Sequence, residues 1–215
     1  DGTTVASVSG TPVLSGVVSG DTVTVSGTAT GAFASKVVGT GKTVTVGGLS
    51  LGGVSAANYT LTAPTLTADI TAKALTVGTP TVTLSKEYDA TRTAAVTAGA
   101  LSGVVGGDAV SVTASALYDT ATVGTAKTVT VTYTLGGTDA GNYSGPTSQT
   151  FATGVITGKG LTISGLAAAS RAYDGTTVAS VSGTPVLSGV VSGDTVTVSG
   201  TATGAFASKV VGTGK

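Results

Sequence analysis

The feature that most constrains this chain is an internal repeat that carries no substitution at all. Residues 1–42 recur unchanged as residues 174–215. The shift from position 1 to position 174 sets a period of 173 residues. A repeat of this length predicts an array of structural units that pack against their neighbours along the chain. Such an array tolerates gain or loss of whole units, whereas a unique catalytic or binding site gains nothing obvious from duplication.

A second, looser repeat divides that period in two. The phrase LSGVVSGD at Leu14–Asp21 returns as LSGVVGGD at Leu101–Asp108. Similarly, LGGVSAANY at Leu51–Tyr59 returns as LGGTDAGNY at Leu135–Tyr143. The spacing indicates a structural unit of about 86 residues, and two diverged units make one long period.

The phrases ITAK and ITGK, which begin at Ile70 and Ile156, mark the ends of units. We therefore predict three segments, called here the first, second and third repeats. The first repeat, residues 1–73, lacks an opening strand, whose counterpart is Gly160–Tyr173. The second, residues 74–159, is complete, and the third, residues 160–215, is the N-terminal part of a further unit. We expect that neither end of the sequence is a natural terminus.

Apolar side chains alternate with Thr or Ser along most of the chain, a pattern typical of half-buried antiparallel strands. The alternating stretches are Asp21–Thr30, Lys42–Leu51, Thr65–Ile70, Thr81–Ser85, Ala109–Tyr118 and Lys127–Leu135. Helical periodicity is missing, apart from a possible single turn just before Tyr59 and Tyr143. We predict an all-β fold of tandem immunoglobulin-like β-sandwich domains of about 86 residues, stacked end to end, with mostly-β grasp-like units as the alternative.

The composition disfavours several classes of function. Ten basic residues balance ten acidic ones, and only 9% of residues are charged. This leaves no basic stripe for nucleic acid and no polybasic patch for an anionic membrane. The absence of Cys and His removes thiol chemistry, thiolate metal sites and the commonest general base. We expect no cofactor, no metal, no nucleic-acid partner, no membrane insertion and no enzymatic activity.

Each unit carries a Tyr-Asp pair near its start, at Tyr88-Asp89 and Tyr173-Asp174, followed by the repeated phrases given above. This ordered set resembles the YDG-type repeat of very large bacterial surface proteins, among them filamentous haemagglutinin-like adhesins exported by two-partner secretion. The resemblance implies an extracellular or cell-surface stalk or fibre. The second repeat departs from it with YDA in place of YDG and NYSGPT in place of NYTLT, which affects the two turns concerned.

Two kinds of covalent modification fit residues at matching positions. Asn58 and Asn142 both begin N-x-S/T sequons and are candidate glycosylation sites, although Asn at a turn beside a packed Tyr is the explanation that we prefer. Lys42 and Lys127 begin equivalent strands, so an isopeptide crosslink to Asn58 or Asn142 is conceivable. An ordinary solvated lysine at a strand start is the simpler interpretation of both.

Other polar residues have structural explanations that we prefer. Asp21, Asp108 and Asp194 follow Gly at turns, where turn capping is favoured over calcium binding because no second carboxylate is near. We interpret Tyr59, Tyr143 and the pairs Tyr88-Asp89 and Tyr173-Asp174 as structural parts of the motif. Rows of Thr on twisted sheets are ordinary solvent-facing residues and not an ice-binding surface.

The main functional hypothesis is a non-catalytic structural repeat of an extracellular bacterial fibre or adhesin stalk. Its expected partners are neighbouring repeats of the same chain and, in fibres, laterally associated copies. The alternative is a glycan- or host-protein-binding adhesion module that uses loops near Tyr118 or Tyr133. A third hypothesis, a Ser-Lys hydrolase, requires a Ser beside a Lys in a pocket.

Overall fold

The computed structural model describes all residues from Asp1 to Lys215 and confirms the all-β prediction. About 46% of the residues lie in strands, and no α-helix is present. The two single turns predicted before Tyr59 and Tyr143 are 3-10 turns at Ala56–Asn58 and Ala140–Asn142. No helix in the chain has the length and apolar character needed to cross a membrane.

Nineteen strands follow one another along the chain, and many of them are only two residues long. In order, they are β1 Val5–Ala6, β2 Thr24–Phe33, β3 Gly39–Gly52, β4 Thr65–Ile70, β5 Lys73–Ala74, β6 Thr76–Val77, β7 Thr81–Val82, β8 Ser85–Glu87, β9 Thr93–Ala94, β10 Val96–Thr97, β11 Leu101–Ser102, β12 Ser111–Tyr118, β13 Gly124–Gly136, β14 Tyr143–Ser144, β15 Gln149–Thr157, β16 Thr162–Ala168, β17 Val178–Ala179, β18 Val181–Ser188 and β19 Gly204–Ala205.

The alternating stretches of the sequence correspond closely to the longest strands. The stretch Thr65–Ile70 is β4 without any change of bounds, and β2, β3, β12 and β13 each contain most of a predicted stretch. The stretch at Thr81–Ser85 is divided between β7 and β8. Period-two alternation therefore located the main strands correctly. In β12 and β13 it follows burial, because one face of each strand packs against the protein and the other faces water, whereas all residues of β4 except Ile70 are exposed.

The chain forms two compact units, the first of which comprises residues 1–81, 96–115 and 131–149. This unit contains an antiparallel sheet with strand order β1-β2-β3-β4. Val44 and Val46 on β3 are buried because they alternate with Thr side chains that face solvent. Two short pairs in the same unit hold β5 parallel to β14 and β6 antiparallel to β11.

The second compact unit comprises residues 82–95, 116–130 and 150–215. A five-stranded sheet has the strand order β8-β15-β13-β12-β9. Its outer pairs lie in this unit, where β8 pairs with β15 and β9 pairs with β12. Its core contains Tyr118, Val129 and Ile156, all at most 1% exposed. The pairs β16-β18 and β17-β19 are antiparallel and lie in the same unit.

Two of the strand pairs differ from the expectation of antiparallel strands throughout. β8 runs parallel to β15, and β5 runs parallel to β14. A parallel pair joins strands that are far apart in sequence, so alternation within each strand carries no signal of it. The sheet that contains the core of the second repeat is accordingly mixed.

Gly154 provides a test of how tightly this core is packed. A Cβ at this position would lie 2.9 Å from Cε1 of Tyr118 and 2.9 Å from Cγ2 of Val129. We expect Gly154→Ala to lower the free energy of unfolding by about 1 to 3 kcal/mol, as overpacked cores do. Gly158→Ala is the control, because nothing lies within 4 Å of its Cβ position. Equal stabilities of the two variants in urea titrations would contradict the packing described here.

Candidate functional site

The phrase VVSGD or VVGGD forms the same tight turn in each of the three repeats. The backbone amide of the aspartate donates to the carbonyl of the valine three residues earlier, for Asp21, Asp108 and Asp194 alike, at 3.0 to 3.1 Å. The glycine before each aspartate has φ between +89° and +97°, a region that side-chain-bearing residues rarely adopt. The Gly-Asp step therefore fixes where the aspartate carboxylate points.

In the first two repeats, a tyrosine hydroxyl closes this turn. The amide of Val18 donates to the hydroxyl of Tyr59 at 3.0 Å, and this hydroxyl donates to Oδ2 of Asp21. The matching bonds in the second repeat join Val105 to Tyr143 at 3.0 Å and Tyr143 to Asp108 at 2.6 Å. We call this pair of hydrogen bonds the Tyr–Asp clamp. It joins the two phrases whose recurrence revealed the shorter repeat.

The clamp changes the ionisation of its members. Its hydrogen bond to the Asp108 carboxylate raises the pKa of Tyr143, and the bond to Asp21 raises the pKa of Tyr59 in the same way. The Lys36 ammonium and the Tyr143 hydroxyl hold the pKa of Asp108 below its ordinary value. Each phenol therefore remains a donor, and the Asp108 carboxylate remains an acceptor, at neutral pH.

Within the first compact unit, residues of the first repeat bind at the Tyr–Asp clamp of the second repeat. Lys36 Nζ lies 2.8 Å from Oδ1 of Asp108, whose side chain is only 6% exposed. Two residues further on, the backbone amide of Val38 donates to Oδ1 of Asn142 at 3.0 Å. Asp108 thus binds a tyrosine of its own repeat and a lysine of the preceding one. This contact is the candidate functional site.

In the second compact unit, Asp194 of the third repeat receives a different donor. The hydroxyl of Tyr88, which belongs to the Tyr-Asp pair of the second repeat, donates to Oδ1 of Asp194 at 3.2 Å. This bond raises the pKa of Tyr88. The aspartate of the Gly-Asp turn therefore contacts the preceding repeat in both units.

The Tyr-Asp motif itself forms a second recurrent turn. The amide of the threonine two residues later donates to Oδ1 of Asp1, Asp89 and Asp174 in the three repeats, at 2.8 to 2.9 Å. The residue between them has positive φ each time: +77° at Gly2, +62° at Ala90 and +80° at Gly175. The YDA variant of the second repeat therefore keeps the shape of the YDG turn.

A basic side chain supports this turn in the second and third repeats. Lys86 Nζ lies 2.6 Å from Oδ1 of Asp89, and Arg171 contacts Asp174 in the same position of its repeat. Each cation also stands over an aromatic ring, 5.6 Å from the centre of Tyr118 and 5.5 Å from that of Phe206. Hydrogen bonds from Lys86 and then Thr91 lower the pKa of Asp89 to about 2.

The two sequons have different surroundings. Asn58 is exposed at the end of its 3-10 turn. Asn142 is half-buried, and its Oδ1 accepts the hydrogen bond from Val38. Neither observation tests glycosylation, which stays a prediction for both residues.

The lysines proposed for a crosslink bind hydroxyl groups. Lys42 Nζ lies 2.9 Å from Oγ of Ser35, and the buried Lys127 lies 2.5 Å from Oγ1 of Thr120. Lys127 is also 3.5 Å from the carboxylate of Asp119. The bond from the lysine to a hydroxyl group therefore occurs in both repeats. The hydroxyl belongs to a serine in the first repeat, which gives the Ser-Lys pair that a Ser-Lys hydrolase requires. In the complete repeat, Lys127 contacts a threonine and an aspartate and no serine.

The remaining candidates are placed as follows. No group of three or more acidic residues is arranged to hold a metal ion. Tyr118 is fully buried at the end of β12, and Tyr133 lies within β13 with a buried hydroxyl that has no partner. The binding alternative concerned the loops near these tyrosines and stays a prediction.

Sequence reasoning missed the residues that join the repeats, above all Lys36 and Val38. A signal for the clamp was available, because Asp21 and Tyr59 recur with almost the same spacing as Asp108 and Tyr143. No comparable signal existed for Lys36, since Ala121 stands at the matching place in the second repeat.

Comparison with known families matches the YDG domain in three successive segments, residues 1–68, 71–150 and 157–215. These segments together cover nearly the whole chain. No curated protein and no solved structure gave a significant match.

Tyr143→Phe tests the Tyr–Asp clamp. The variant removes the hydroxyl that accepts from Val105 and donates to Asp108, so we expect a fall of a few degrees in Tm. Tyr133→Phe is the matched control, because the Tyr133 hydroxyl has no partner and its removal should leave Tm unchanged or raise it. Calorimetry that showed equal effects of both variants would argue against the clamp.

Ala90→Gly tests the strain in the YDA turn. Ala90 has φ of +62°, a conformation that costs an L-residue with a Cβ free energy and costs glycine none. We expect the variant to raise the free energy of unfolding by about 0.5 to 1 kcal/mol. Ala95→Gly, at an exposed position without positive φ, should instead lower it. Destabilisation by both changes would contradict the strain.

Asp89 gives a prediction about pH. Because its pKa in the folded chain is about 2, below the ordinary 3.8, its contribution to stability is complete above about pH 4. That contribution is lost as the pH falls from about 4 to 2. Carbon-13 NMR titration should show the Asp89 carboxyl titrating near pH 2, and Lys86→Gln should move its midpoint upward. A midpoint near 3.8 in the unsubstituted chain would refute the assignment.

Proposed function

This chain belongs to the YDG domain family, and on that premise we propose that it is a structural, non-catalytic repeat of an extracellular bacterial fibre or adhesin stalk. The observation that carries the proposal is the contact between the first and second repeats. Lys36 and Val38 bind Asp108 and Asn142, which lie in the very phrases that recur along the sequence. The aspartate of this contact recurs as Asp194, which binds Tyr88 of the preceding repeat, whereas Ala121 stands in place of Lys36. An aspartate that binds the preceding repeat each time provides the repeated contact that the units of a solenoid or rod require.

Several features support the strength of such a contact. The Asp108 side chain is 6% exposed and binds Tyr143 as well as Lys36, whose own side chain is 43% exposed. A charge-assisted pair is stronger than a neutral hydrogen bond, and salt weakens it at the exposed lysine. The amide of Val38 adds a bond to Asn142 that does not depend on charge. Together these bonds favour a semi-rigid junction over a flexible linker.

For the architecture of each unit, the parallel pairs favour the grasp-like alternative. An immunoglobulin-like sandwich consists of antiparallel sheets, whereas β8 and β15 run parallel in the complete repeat. In this proposal, such mixed units stack end to end and are displayed outside the cell. The binding module that was the alternative gains no support from Tyr118 or Tyr133, which lie in strands.

A length series tests the proposal. Arrays that contain one, two or three 173-residue periods should show a maximum dimension, measured by X-ray scattering, that grows in proportion to the number of periods. They should show no saturable binding to immobilised glycans or host matrix proteins. A compact array whose dimension grows only weakly with length, or saturable binding by a single period, would contradict the structural role.

A further inference from the structure

The opening and closing segments of the complete repeat meet in one strand pair. The second repeat, residues 74–159, opens with a segment that includes β8 and closes with β15. The two strands are parallel, with Ser85 opposite Val155 and Glu87 opposite Thr157. We call β8 and β15 the terminal pair. It joins the segment through which the chain enters the repeat to the segment through which the chain leaves it.

The parallel direction of the terminal pair decides how it responds to stretching. The preceding repeat is attached before β8, and the following repeat is attached after β15. In parallel strands, these two attachment points lie at opposite ends of the pair. Tension along the chain therefore pulls the strands past each other and loads the hydrogen bonds between them together. In an antiparallel pair both attachments would lie at the same end, and the bonds would open one at a time.

Several hydrogen bonds oppose this sliding. At the beginning of the terminal pair, the amide of Val155 donates to the carbonyl of Leu84 at 2.7 Å. At its end, the amide of Tyr88 donates to the carbonyl of Thr157 at 2.9 Å. The hydroxyl of Thr157 also donates to the carbonyl of Lys86 at 3.3 Å. The bonds of a parallel ladder are evenly spaced, so they share a force that acts along the strands.

One strand of the terminal pair, β15, is fixed in the core of the repeat. It lies between β8 and β13 in the sheet, and Ile156 is 1% exposed. A Cβ on Gly154 would lie 2.9 Å from atoms of both Tyr118 and Val129. Because side chains on one face of a strand alternate with a period of two, sliding of β15 would bring Ala152 or Ile156 into the place of Gly154. The close packing at this glycine therefore opposes movement of β15 along its axis.

The other strand, β8, is anchored through its lysine and the residue before it. Lys86 Nζ binds Oδ1 of Asp89 and both oxygens of Thr91 at 2.6 to 2.9 Å. It also stands 5.6 Å from the centre of the Tyr118 ring, an attractive position for a cation. The Tyr118 hydroxyl donates to the carbonyl of Thr83, just before β8, at 3.3 Å. Sliding of β8 would break these contacts as well as the ladder.

We propose that the terminal pair is a mechanical lock, which keeps the repeat folded while the chain is under tension. The source of the tension rests on the proposed role in a fibre or stalk, whereas the resistance is a property of the second repeat itself. Forced unfolding is governed by the rate of unfolding and not by equilibrium stability alone. A repeat with a small core can therefore withstand tension when its terminal strands are loaded in shear.

The residues of the terminal pair recur along the sequence. Ile156 of β15 corresponds to Ile70 of β4, and Lys86 of β8 corresponds to Arg171. Arg171 makes the same two kinds of contact as Lys86, with the aspartate of the Tyr-Asp turn and with an aromatic ring. A lock in every repeat suits an array under tension, because the weakest unit limits the force that the whole array withstands.

Single-molecule pulling in two directions tests the proposal, because the chain has no cysteine and handles can be attached at chosen positions. In the 215-residue chain with Thr83→Cys and Gly158→Cys, the handles pull β8 at its beginning and β15 at its end, which shears the terminal pair. With Ala90→Cys and Gly158→Cys, they pull both strands at the same end. We expect a rupture force at least about twofold higher in the first direction at equal pulling speed, since the bonds then share the force.

The two handle variants control for each other. Thr83, Ala90 and Gly158 are all exposed, so both variants should unfold at the same urea concentration. A difference in rupture force then reflects the direction of pulling and not the stability of the fold. Equal rupture forces in the two directions, or a lower force in shear, would overturn the proposal.

Lys86→Gln, added to the shearing variant, tests the anchor of β8. It removes the ammonium group that binds Asp89 and stands over the Tyr118 ring, so the rupture force in shear should fall. Glu87→Gln is the matched control in the same strand. The Glu87 side chain is 54% exposed and forms an ion pair with Lys159 at 3.5 Å, which contributes little in water. Equal effects of the two substitutions would contradict the anchoring that the lock requires.

The outcomes separate the lock from the structural role of the chain. A low rupture force in shear would overturn the lock and leave the length series to decide the structural role. A high rupture force in shear, together with compact arrays that bind a ligand, would establish the lock and contradict the role in a fibre or stalk.

Discussion

Strand pairing between distant segments is the constraint on which this structure depends. The chain demonstrates it twice, because identical sequences occur with and without their partners. Residues 24–33 form β2 beside β3, whereas the identical residues 197–206 have no such partner and are mostly without strand structure. Likewise, residues 181–188 form β18 beside β16, whereas the identical residues 8–15 form no strand. The local sequence favours a strand, but the strand forms only where a partner strand is present to pair with it.

Burial follows the same rule. The side chains with the lowest exposure, Tyr118, Val129, Val131 and Ile156, all belong to the second repeat, which has both its opening and its closing strands. The third repeat contributes only Ala179 to the buried apolar set. In this chain, the repeat that has strands on both sides therefore has the most deeply buried core. The Tyr–Asp clamp joins two turns of the same repeat, and Lys36 of the first repeat binds Asp108 of the second.

The sequence was informative wherever the controlling interaction was local or recurrent. Alternation gave the bounds of β4 and most of β2, β3, β12 and β13, and the phrases before Tyr59 and Tyr143 gave the 3-10 turns. The parallel pairs were not foreseeable, because they join segments about 70 residues apart and leave no periodic trace. The bond between Lys36 and Asp108 was hidden for a similar reason, since alanine replaces the lysine in the second repeat.

Electron microscopy of the full-length protein in its native assembly tests the central claim most directly, because that claim is the continuation of one repeat into the next. The account predicts filaments or tethered rods with an axial repeat of about 70 to 80 Å for each 173-residue period, the length of two stacked units. Separate globular particles with no axial repeat, or a repeat unrelated to this period, would contradict it.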